Sequence, residues 1–364
     1  MLLIYAFRGY TFTSGRITNT MRSRRILNRT VAAAAAGLAL ALVMRGGGRD
    51  EYLLRVRYAE AEETPVPAAA EELPALAEFS VSSPLVSVSI DGRLENMELE
   101  DYLVGVVAAE MPASSEPAAL QAQAVAARTF TVLHMTGGAK CAHGAEGCTV
   151  CSDPSCCQAY LGEAALRGAW GDRYDENIKK IRAAVEDTRG VIVAYEGRPI
   201  SALYHASSGP ATENSEAVFA MALPYLVSVE SFEGEREAVS VQTFSAAELV
   251  DILNEAHPDA RLRLPLEKGD IDIWGRTESG RVQLVQTGST VITGGQLRAL
   301  LGLKSTDFTV EISENEVSFT CVGYGHGVGM SQLGANEMAK EGYSYEEILL
   351  HFYTGTELAK IKYG

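Results

Sequence analysis

The pattern of apolar positions that begins at Leu99 predicts an amphipathic helix with a carboxylate at its end. Apolar residues recur at helical spacing as far as Val107, and Glu110 falls on the same stripe. Pro112 predicts the end of this helix, because the residue before a proline is pushed out of the helical conformation. A hydrocarbon wall beside Glu110 would raise the pKa of its carboxyl group, as a general acid near neutral pH requires. The alternatives are exposure to water or a pair with Arg128.

The periodicity elsewhere alternates between helix and strand and predicts an α+β fold, a single mixed helix/strand domain over residues 84–364. Arg128 lies on the second helix beside a face of small residues, where it either holds a carboxylate or a sugar hydroxyl or is a solvated charge. We expect helices at about 98–110, 115–135, 175–186, 245–257, 296–300, 334–342 and 345–353, and strands at 85–90, 191–195, 200–204, 270–276, 281–287, 308–312 and 317–322.

The residues before this domain predict a membrane anchor and a linker. Residues 31–44 are apolar and uncharged and follow a flank of arginines, and no small-x-small cleavage site comes after them. We therefore predict a cytoplasmic tail over residues 1–30 and an uncleaved single-pass anchor over 31–44, with a cleaved signal peptide as the alternative. Residues 45–83 are acidic and rich in proline and alanine, which predicts a linker. Both alternatives place the folded domain outside the cytoplasm.

The charge of the chain disfavours one class of partner. Its 364 residues include 47 acidic and 31 basic side chains, a net charge of −16. An acidic surface of this kind argues against nucleic-acid binding and suits a solvated extracytoplasmic protein.

A cluster of cysteines predicts a structural zinc site. Five of the six cysteines lie within residues 141–157, and thiolate and imidazole ligands at short loop spacing suit tetrahedral zinc. Local disulfides are the alternative in an oxidising compartment. The absence of an HExxH motif argues against a catalytic metal. The preferred ligands are His143, Cys151, Cys156 and Cys157, and Cys141 or Cys148 are able to replace His143 or Cys156.

Two loops carry the residue types of a ligand-binding cleft. The strand that ends at Tyr204 runs into His205-Ala-Ser-Ser-Gly, and alternating glycines surround His326 ahead of Ser331 and Gln332. Glycines at alternate positions let a backbone approach a ligand or another strand closely. An ordinary loop is the alternative reading of the first segment.

Four blocks of the chain together resemble the stage II sporulation protein D family, membrane-anchored lytic transglycosylases of endospore-forming bacteria. The related amidase-enhancer branch shares this domain. Residues of about 235–290 match no block and are expected to form a variable inserted region. The blocks are VVAAEMPASSEPAALQAQAVAARTF, CSDPSCCQAY, SALYHASSGPATENSEAVFAMALPYLVSV, and LRALLGLKSTDFTV running into GYGHGVGMSQLGANEMA.

The resemblance implies that Glu110 is the catalytic acid/base acting on peptidoglycan glycan strands, first as acid and then as base. Hydrolytic glycosidases generally use two carboxylates, and Glu213 is the candidate for a second. The resemblance also implies zinc, which His143, Cys151 and Cys157 match approximately. It places Tyr204, Ser207, Ser208, His326, Ser331 and Gln332 in a substrate cleft near Glu110. Arg128, from its place on the second helix, is a further candidate for substrate binding.

The biological setting that the resemblance implies is forespore engulfment. The expected partners are a sporulation amidase that first strips the stem peptides and a membrane partner of the engulfment complex. The expected location is the cell membrane, with the catalytic domain between the mother-cell and forespore membranes. The competing function is a non-catalytic wall-binding enhancer of an N-acetylmuramoyl-L-alanine amidase.

Overall fold

A computed structural model of the chain describes residues 76–142, 144–219, 221–234 and 238–363, which form a mixed α+β fold. The helices are α1 (Leu99–Glu110), α2 (Pro117–Met135), α3 (Glu163–Trp170), α4 (Tyr174–Asp187), α5 (Ser215–Phe219), α6 (Ala246–Ala256), α7 (Gly294–Leu301), α8 (Gln332–Lys340) and α9 (Tyr345–Phe352). The strands are β1 (Ala77–Val81), β2 (Leu85–Ile90), β3 (Arg93–Glu98), β4 (Val150–Cys151), β5 (Val191–Tyr195), β6 (Arg198–Pro199), β7 (Tyr204–His205), β8 (Val239–Ser245), β9 (Ile271–Arg276), β10 (Val282–Thr287), β11 (Thr290–Thr293), β12 (Asp307–Ile312), β13 (Glu316–Val322), β14 (Met330–Ser331) and β15 (Glu357–Tyr363).

The predicted tail, the predicted anchor and most of the predicted linker lie outside the described residues. Within the part of the chain that is described, no helix is long and apolar enough to cross a membrane.

Helix α2 is the centre of the main hydrophobic core. Its small residues Ala122, Ala124 and Ala127 are fully buried, and α1, α4, α8 and α9 pack around it. Alanine at these positions lets the neighbouring helices approach closely and costs no side-chain entropy. A four-stranded sheet in the order β1-β15-β5-β6 covers the other side of this core.

The predicted linker is too long at its C-terminal end. Strand β1 pairs in parallel with β15, with Ala77 opposite Ala359 and Val81 opposite Tyr363. Val81 is buried in the main core. Residues 77–81 therefore belong to the folded domain, and the linker prediction is wrong there, because this short strand takes its stability from a partner at the far end of the chain.

A second hydrophobic core lies within residues 239–322. Strands β8, β12 and β13 form one three-stranded sheet, and β9, β10 and β11 form another. Helices α6 and α7 pack with them around Leu253, Leu297 and Phe319, which are fully buried. The inserted region predicted at about 235–290 therefore ends too early, since β12 and β13 share this core.

Strand β7 departs from the predicted hairpin in a way that matters for the site. Within residues 191–205, only β6 pairs with β5, up to Pro199. Strand β7 pairs instead in parallel with β14, with Tyr204 opposite Met330 and His205 opposite Ser331. This pairing brings together the two glycine- and serine-rich loops that the sequence analysis singled out.

Candidate active site

Glu110 is the last residue of α1, and its side chain is half-buried. The chain leaves the helix at Met111, as Pro112 predicts, with φ −128° and ψ 143°. The carboxylate Oε1 accepts a hydrogen bond of 2.9 Å from the backbone N–H of Ala159, and Oε2 lies 3.4 Å from Nε2 of Gln332. Burial raises the pKa of the Glu110 carboxyl group, and these hydrogen bonds oppose part of that rise.

Two cavities meet at Glu110. One, of about 340 Å³, is lined by Glu110, Tyr204, Arg298 and His326 among others. The second, of about 420 Å³, lies on the other side and is lined by Ser115, Asn336 and Lys340 among others. Both cavities share Glu110 and Ala206. A polymer that passes through both would therefore present one of its backbone bonds to Glu110.

Tyr204 is held beside Glu110 by a buried amide. Its hydroxyl donates to Oε1 of Gln158 across 2.9 Å, and Nε2 of Gln158 donates to the hydroxyl of Thr131 across 3.1 Å. Burial raises the pKa of Tyr204 well above its usual range, and the charge of Glu110 adds to the rise. Tyr204 is thus neutral in the cavity, and Gln158, which was not predicted as a site residue, positions it.

Two histidines with neutral rings, His205 and His326, also line the 340 Å³ cavity. Burial lowers the pKa of His326 to about 4 and the pKa of His205 well below its usual range. Nδ1 of His326 accepts from the backbone N–H of Val328 across 3.1 Å, which puts the ring proton on Nε2. Nδ1 of His205 faces the carbonyl oxygen of Val328, so this ring carries its proton on Nδ1, and its Nε2 accepts from the Ser208 hydroxyl.

Glu233 joins the two predicted cleft loops from behind. Oε1 accepts from the backbone N–H of Ser208 and from the Ser331 hydroxyl, both across 2.6 Å. Oε2 accepts from the Ser207 hydroxyl across 2.5 Å and from the backbone N–H of Gly209 across 3.2 Å. All three serines are buried and line neither cavity. The structure thus brings these serines together around Glu233, where they support the cleft from behind. It does not support the prediction that they contact the substrate.

Arg128 does not reach the cleft. Its side chain is fully buried, and it holds both carboxylate oxygens of Glu100, with Nε–Oε1 of 3.0 Å and Nη2–Oε2 of 2.6 Å. Its remaining donors face the carbonyl oxygens of Val185 and Val191. The prediction that Arg128 binds substrate is wrong, because every donor of its guanidinium group is committed to α1 and to the ends of α4 and β5.

Glu213 is also outside the cleft. Its carboxylate is buried and accepts from the hydroxyls of Thr277 and Ser279 across 2.5 and 2.7 Å. It joins the main core to the second core and lines neither cavity. The sequence offered it as a second catalytic carboxylate, and this position does not support that role.

The sulfur atoms of Cys141, Cys151, Cys156 and Cys157 lie within 4.8 Å of one another. No disulfide joins the cysteines of the chain, all of which are described. A Zn–S bond of about 2.3 Å places tetrahedral thiolates about 3.8 Å apart, and the Sγ atoms of Cys141 and Cys156 are 3.8 Å apart. Cys141, one of the predicted replacements for His143 or Cys156, is thus the fourth sulfur of the cluster, and His143 lies outside the described residues.

The electrostatics of this cluster fit a cation. Burial, with the neighbouring thiols of Cys141 and Cys156, raises the pKa of Cys151 to about 12. Four sulfurs at this spacing cannot all be thiolates near neutral pH unless a positive charge lies among them. The cluster also abuts the acid, because Cys157 precedes Gln158 and Ala159, which contact Tyr204 and Glu110.

Comparison with known proteins agrees with the resemblance. The family described as stage II sporulation protein matches residues 91–195. Stage II sporulation protein D of Bacillus amyloliquefaciens is 37% identical over 291 residues, which are 79% of this chain and 81% of that protein. Its counterpart from Bacillus subtilis (strain 168) is 38% identical over 269 residues, 73% of this chain and 76% of that protein. The Bacillus subtilis protein named amidase enhancer is 28% identical over 305 residues, 70% of this chain and 40% of that protein. On these identities and coverages, the chain belongs to the stage II sporulation protein D family.

Proposed function

We propose that this protein is a lytic transglycosylase that cleaves peptide-stripped peptidoglycan glycan strands during sporulation, with Glu110 as the catalytic residue. The observation that carries the proposal is the place of Glu110, a carboxyl group with a raised pKa at the junction of two cavities. A protonated carboxyl group beside a scissile bond is the arrangement that general acid catalysis needs.

The reaction needs one carboxyl group in two successive states. Glu110 donates its proton to the glycosidic oxygen that leaves C1 of the muramic-acid sugar, and the bond between them breaks. The resulting carboxylate takes the proton of the 6-hydroxyl of the same sugar as its oxygen bonds to C1. The product is a 1,6-anhydro ring, Glu110 is again protonated, and no water is consumed. The N–H of Ala159 and the amide of Gln332 stabilise the carboxylate between these steps.

The cleft favours this route over hydrolysis with two carboxylates. Among the described residues that line the two cavities, Glu110 is the only acidic side chain. Glycosidases of the two-carboxylate type place their acid and their nucleophile or base on either side of one bond. Glu213 and Glu233 are buried in hydrogen-bond networks away from both cavities.

Zinc is part of the proposal as a structural ion. Cys141, Cys151, Cys156 and Cys157 would hold it, and when bound it would stabilise the thiolate forms and cross-link the loop. The loop then delivers the side chain of Gln158 to Tyr204 and the N–H of Ala159 to Glu110.

The setting follows from the family and from the N-terminal sequence. Residues 31–44 would anchor the chain in the cell membrane with the catalytic domain outside the cytoplasm, between the mother-cell and forespore membranes. A sporulation amidase would remove the stem peptides before the glycan enters the cleft, and a membrane partner would join both in the engulfment complex. The name of the amidase-enhancer relative accords with such a partner.

The decisive experiment is the product analysis of Glu110→Gln. The variant keeps the shape of the side chain but has no acidic proton, so the yield of anhydro-muramic ends from peptide-free glycan should fall by about 10²- to 10⁴-fold in mass spectrometry. Glu95→Gln removes an exposed carboxylate from β3 and is the matched control. Equal turnover by Glu110→Gln and the wild type would refute the assignment.

The second candidate function is a wall-binding enhancer of an amidase, which the amidase-enhancer relative favours. In that case the cleft would hold glycan, and Glu110 would act only as a hydrogen-bond acceptor. The same product analysis separates the two, because an enhancer yields no anhydro ends from glycan alone but increases peptide release when the amidase is added.

A further inference from the structure

Arg298 reaches the cleft from the second hydrophobic core. It lies on α7, which packs in that core through Leu297 and Leu301, yet its own side chain lines the 340 Å³ cavity that Glu110 also lines. Nε of Arg298 donates to the carbonyl oxygen of Leu303 across 3.2 Å. This bond takes up the Nε proton and leaves the protons of the two terminal nitrogens for other partners.

The terminal nitrogens of Arg298 have no protein partner among the described residues. No carboxylate of that part of the chain lies within ion-pair distance of Arg298, and Nε makes its one hydrogen bond. The other large buried guanidinium groups differ. Arg128 holds Glu100, and Arg281 donates to the carbonyl oxygens of Ser208 and Ala211 across 2.7 and 3.0 Å. A half-buried charge without a counter-ion is costly, and the wall of the cleft therefore carries two donor nitrogens that favour a negatively charged ligand.

The surroundings of Arg298 favour an anion. Its charge helps to keep His326 and His205 neutral, since it lowers the pKa of both rings. Lys304 adds a second positive charge nearby, with Nζ 4.7 Å from the ring centre of the exposed Tyr324, which lines the same cavity. This local positive region stands out in a chain with a net charge of −16. Planar guanidinium groups bind carboxylates through two parallel hydrogen bonds.

We propose that Arg298 binds the free lactyl carboxylate of peptide-stripped muramic acid and is the specificity-determining residue for stripped strands. The inference rests on the proposed function, because that function supplies the glycan. In unprocessed peptidoglycan the lactyl group is an amide of the stem peptide and carries no charge at that position. The carboxylate that Arg298 binds exists only after this amide is hydrolysed.

The experiment measures binding rather than cleavage. The full-length chain with Glu110→Gln is titrated with a peptide-free GlcNAc–MurNAc oligosaccharide and with the same oligosaccharide after its lactyl carboxylates are converted to methylamides. We expect the carboxylate form to bind about 10- to 100-fold more tightly, as for a hydrogen-bonded ion pair. Adding Arg298→Gln should remove that difference and leave affinity for the methylamide form unchanged. Arg263→Gln, which removes an exposed positive charge from the same segment of residues 239–322, should keep the difference.

The outcomes separate this inference from the proposed function. Equal affinities for the two oligosaccharides, or a preference that survives Arg298→Gln, would overturn the role of Arg298 even if the wild type yields anhydro ends. A preference lost only with Arg298→Gln would support it even if no anhydro ends form, and in that event the transglycosylase proposal alone would fail. A control shows that the variants are folded. Their circular dichroism spectra and their affinities for the methylamide form must be the same.

Discussion

The backbone N–H of Ala159 donates to Oε1 of Glu110 across 2.9 Å and so couples the cysteine cluster to the acid of the cleft. Ala159 is two residues beyond Cys157, and Gln158 between them contacts Tyr204. A loop without regular structure therefore supplies two of the contacts that organise the site. The geometry of Glu110 should depend on whatever holds this loop in place.

Removal of one thiol should show this dependence. We expect Cys157→Ser to lower zinc affinity by more than about 10-fold, the lower end of the effect of losing even an outer partner of a metal ligand. The melting temperature and the yield of anhydro ends should fall together. Metal content by atomic absorption, a thermal melt and the product analysis measure the three effects.

The matched control is Cys321→Ser. Cys321 is buried in β13 within the second core and lies outside the cysteine cluster. This variant should lose stability without losing metal. If Cys157→Ser binds zinc as the wild type does, the four-sulfur site is not the metal site.

The pKa of Glu110 should set the alkaline limit of activity. The carboxyl group must be protonated to act first as an acid, so the rate should fall as the pH rises through its pKa, which burial raises above the usual value of a glutamate. Gln332→Leu removes a donor that stabilises the carboxylate. The pKa should then rise further, and the alkaline limb of the kcat/KM profile should move to higher pH by up to about one unit. A shift to lower pH would contradict this role of Gln332.

The sequence predicted the elements whose stability is local. Helix α1 and the hairpin of β12 and β13 carry clear periodicity and lie within one or two residues of the predicted bounds. Strands β1 and β15 were missed, because each is short and half-exposed and the two pair with each other across 282 positions of the chain. No local pattern encodes such a pairing.

The residues of the site show the same difference between local sequence signals and long-range contacts. Glu110 and Gln332 were predicted from a stripe and from a motif, and the structure places them in contact. Glu233 and Gln158 were missed because a single polar residue in an irregular segment gives no periodic signal, although both are almost fully buried. Arg128 was predicted to bind substrate because its partner, Glu100, lies on the preceding helix and gives no local signal of the pair. That the side chain of Arg128 faces the protein interior became clear only from the packing of α4.

The ion pair between Arg128 and Glu100 should be a large contributor to stability. Glu100→Gln leaves the buried guanidinium without a counter-charge, and we expect a loss of about 3–5 kcal/mol in the free energy of unfolding measured in urea. Arg182→Ala is the control, since it removes an exposed pair between α4 and Asp101, the neighbour of Glu100 on α1. That pair should contribute less than about 1 kcal/mol. Similar losses of unfolding free energy in both variants would show that breaking the buried pair of Arg128 and Glu100 destabilises the protein no more than breaking an exposed pair.

Glu233 should matter to both stability and activity through the two loops that it joins. It accepts from four donors, two on each oxygen. In Glu233→Gln one carboxylate oxygen is replaced by an amide NH2 group, which is itself a hydrogen-bond donor. The two buried donors that pointed to that oxygen then have no acceptor. Each unsatisfied group costs about 1–3 kcal/mol. We expect a lower free energy of unfolding and a lower kcat/KM, because the strands that carry Tyr204 and precede Gln332 lose their common anchor.

Glu230→Gln separates this effect from a simple loss of charge. Glu230 lies three residues earlier, and its side chain is exposed, so its substitution should change the free energy of unfolding by less than about 0.5 kcal/mol. A positioning role for Glu233 also requires that the pH profile of Glu233→Gln keep its alkaline limb, since Glu233 makes no contact with Glu110. A limb displaced by more than the effect of Gln332→Leu would instead place Glu233 in the titration of the acid itself.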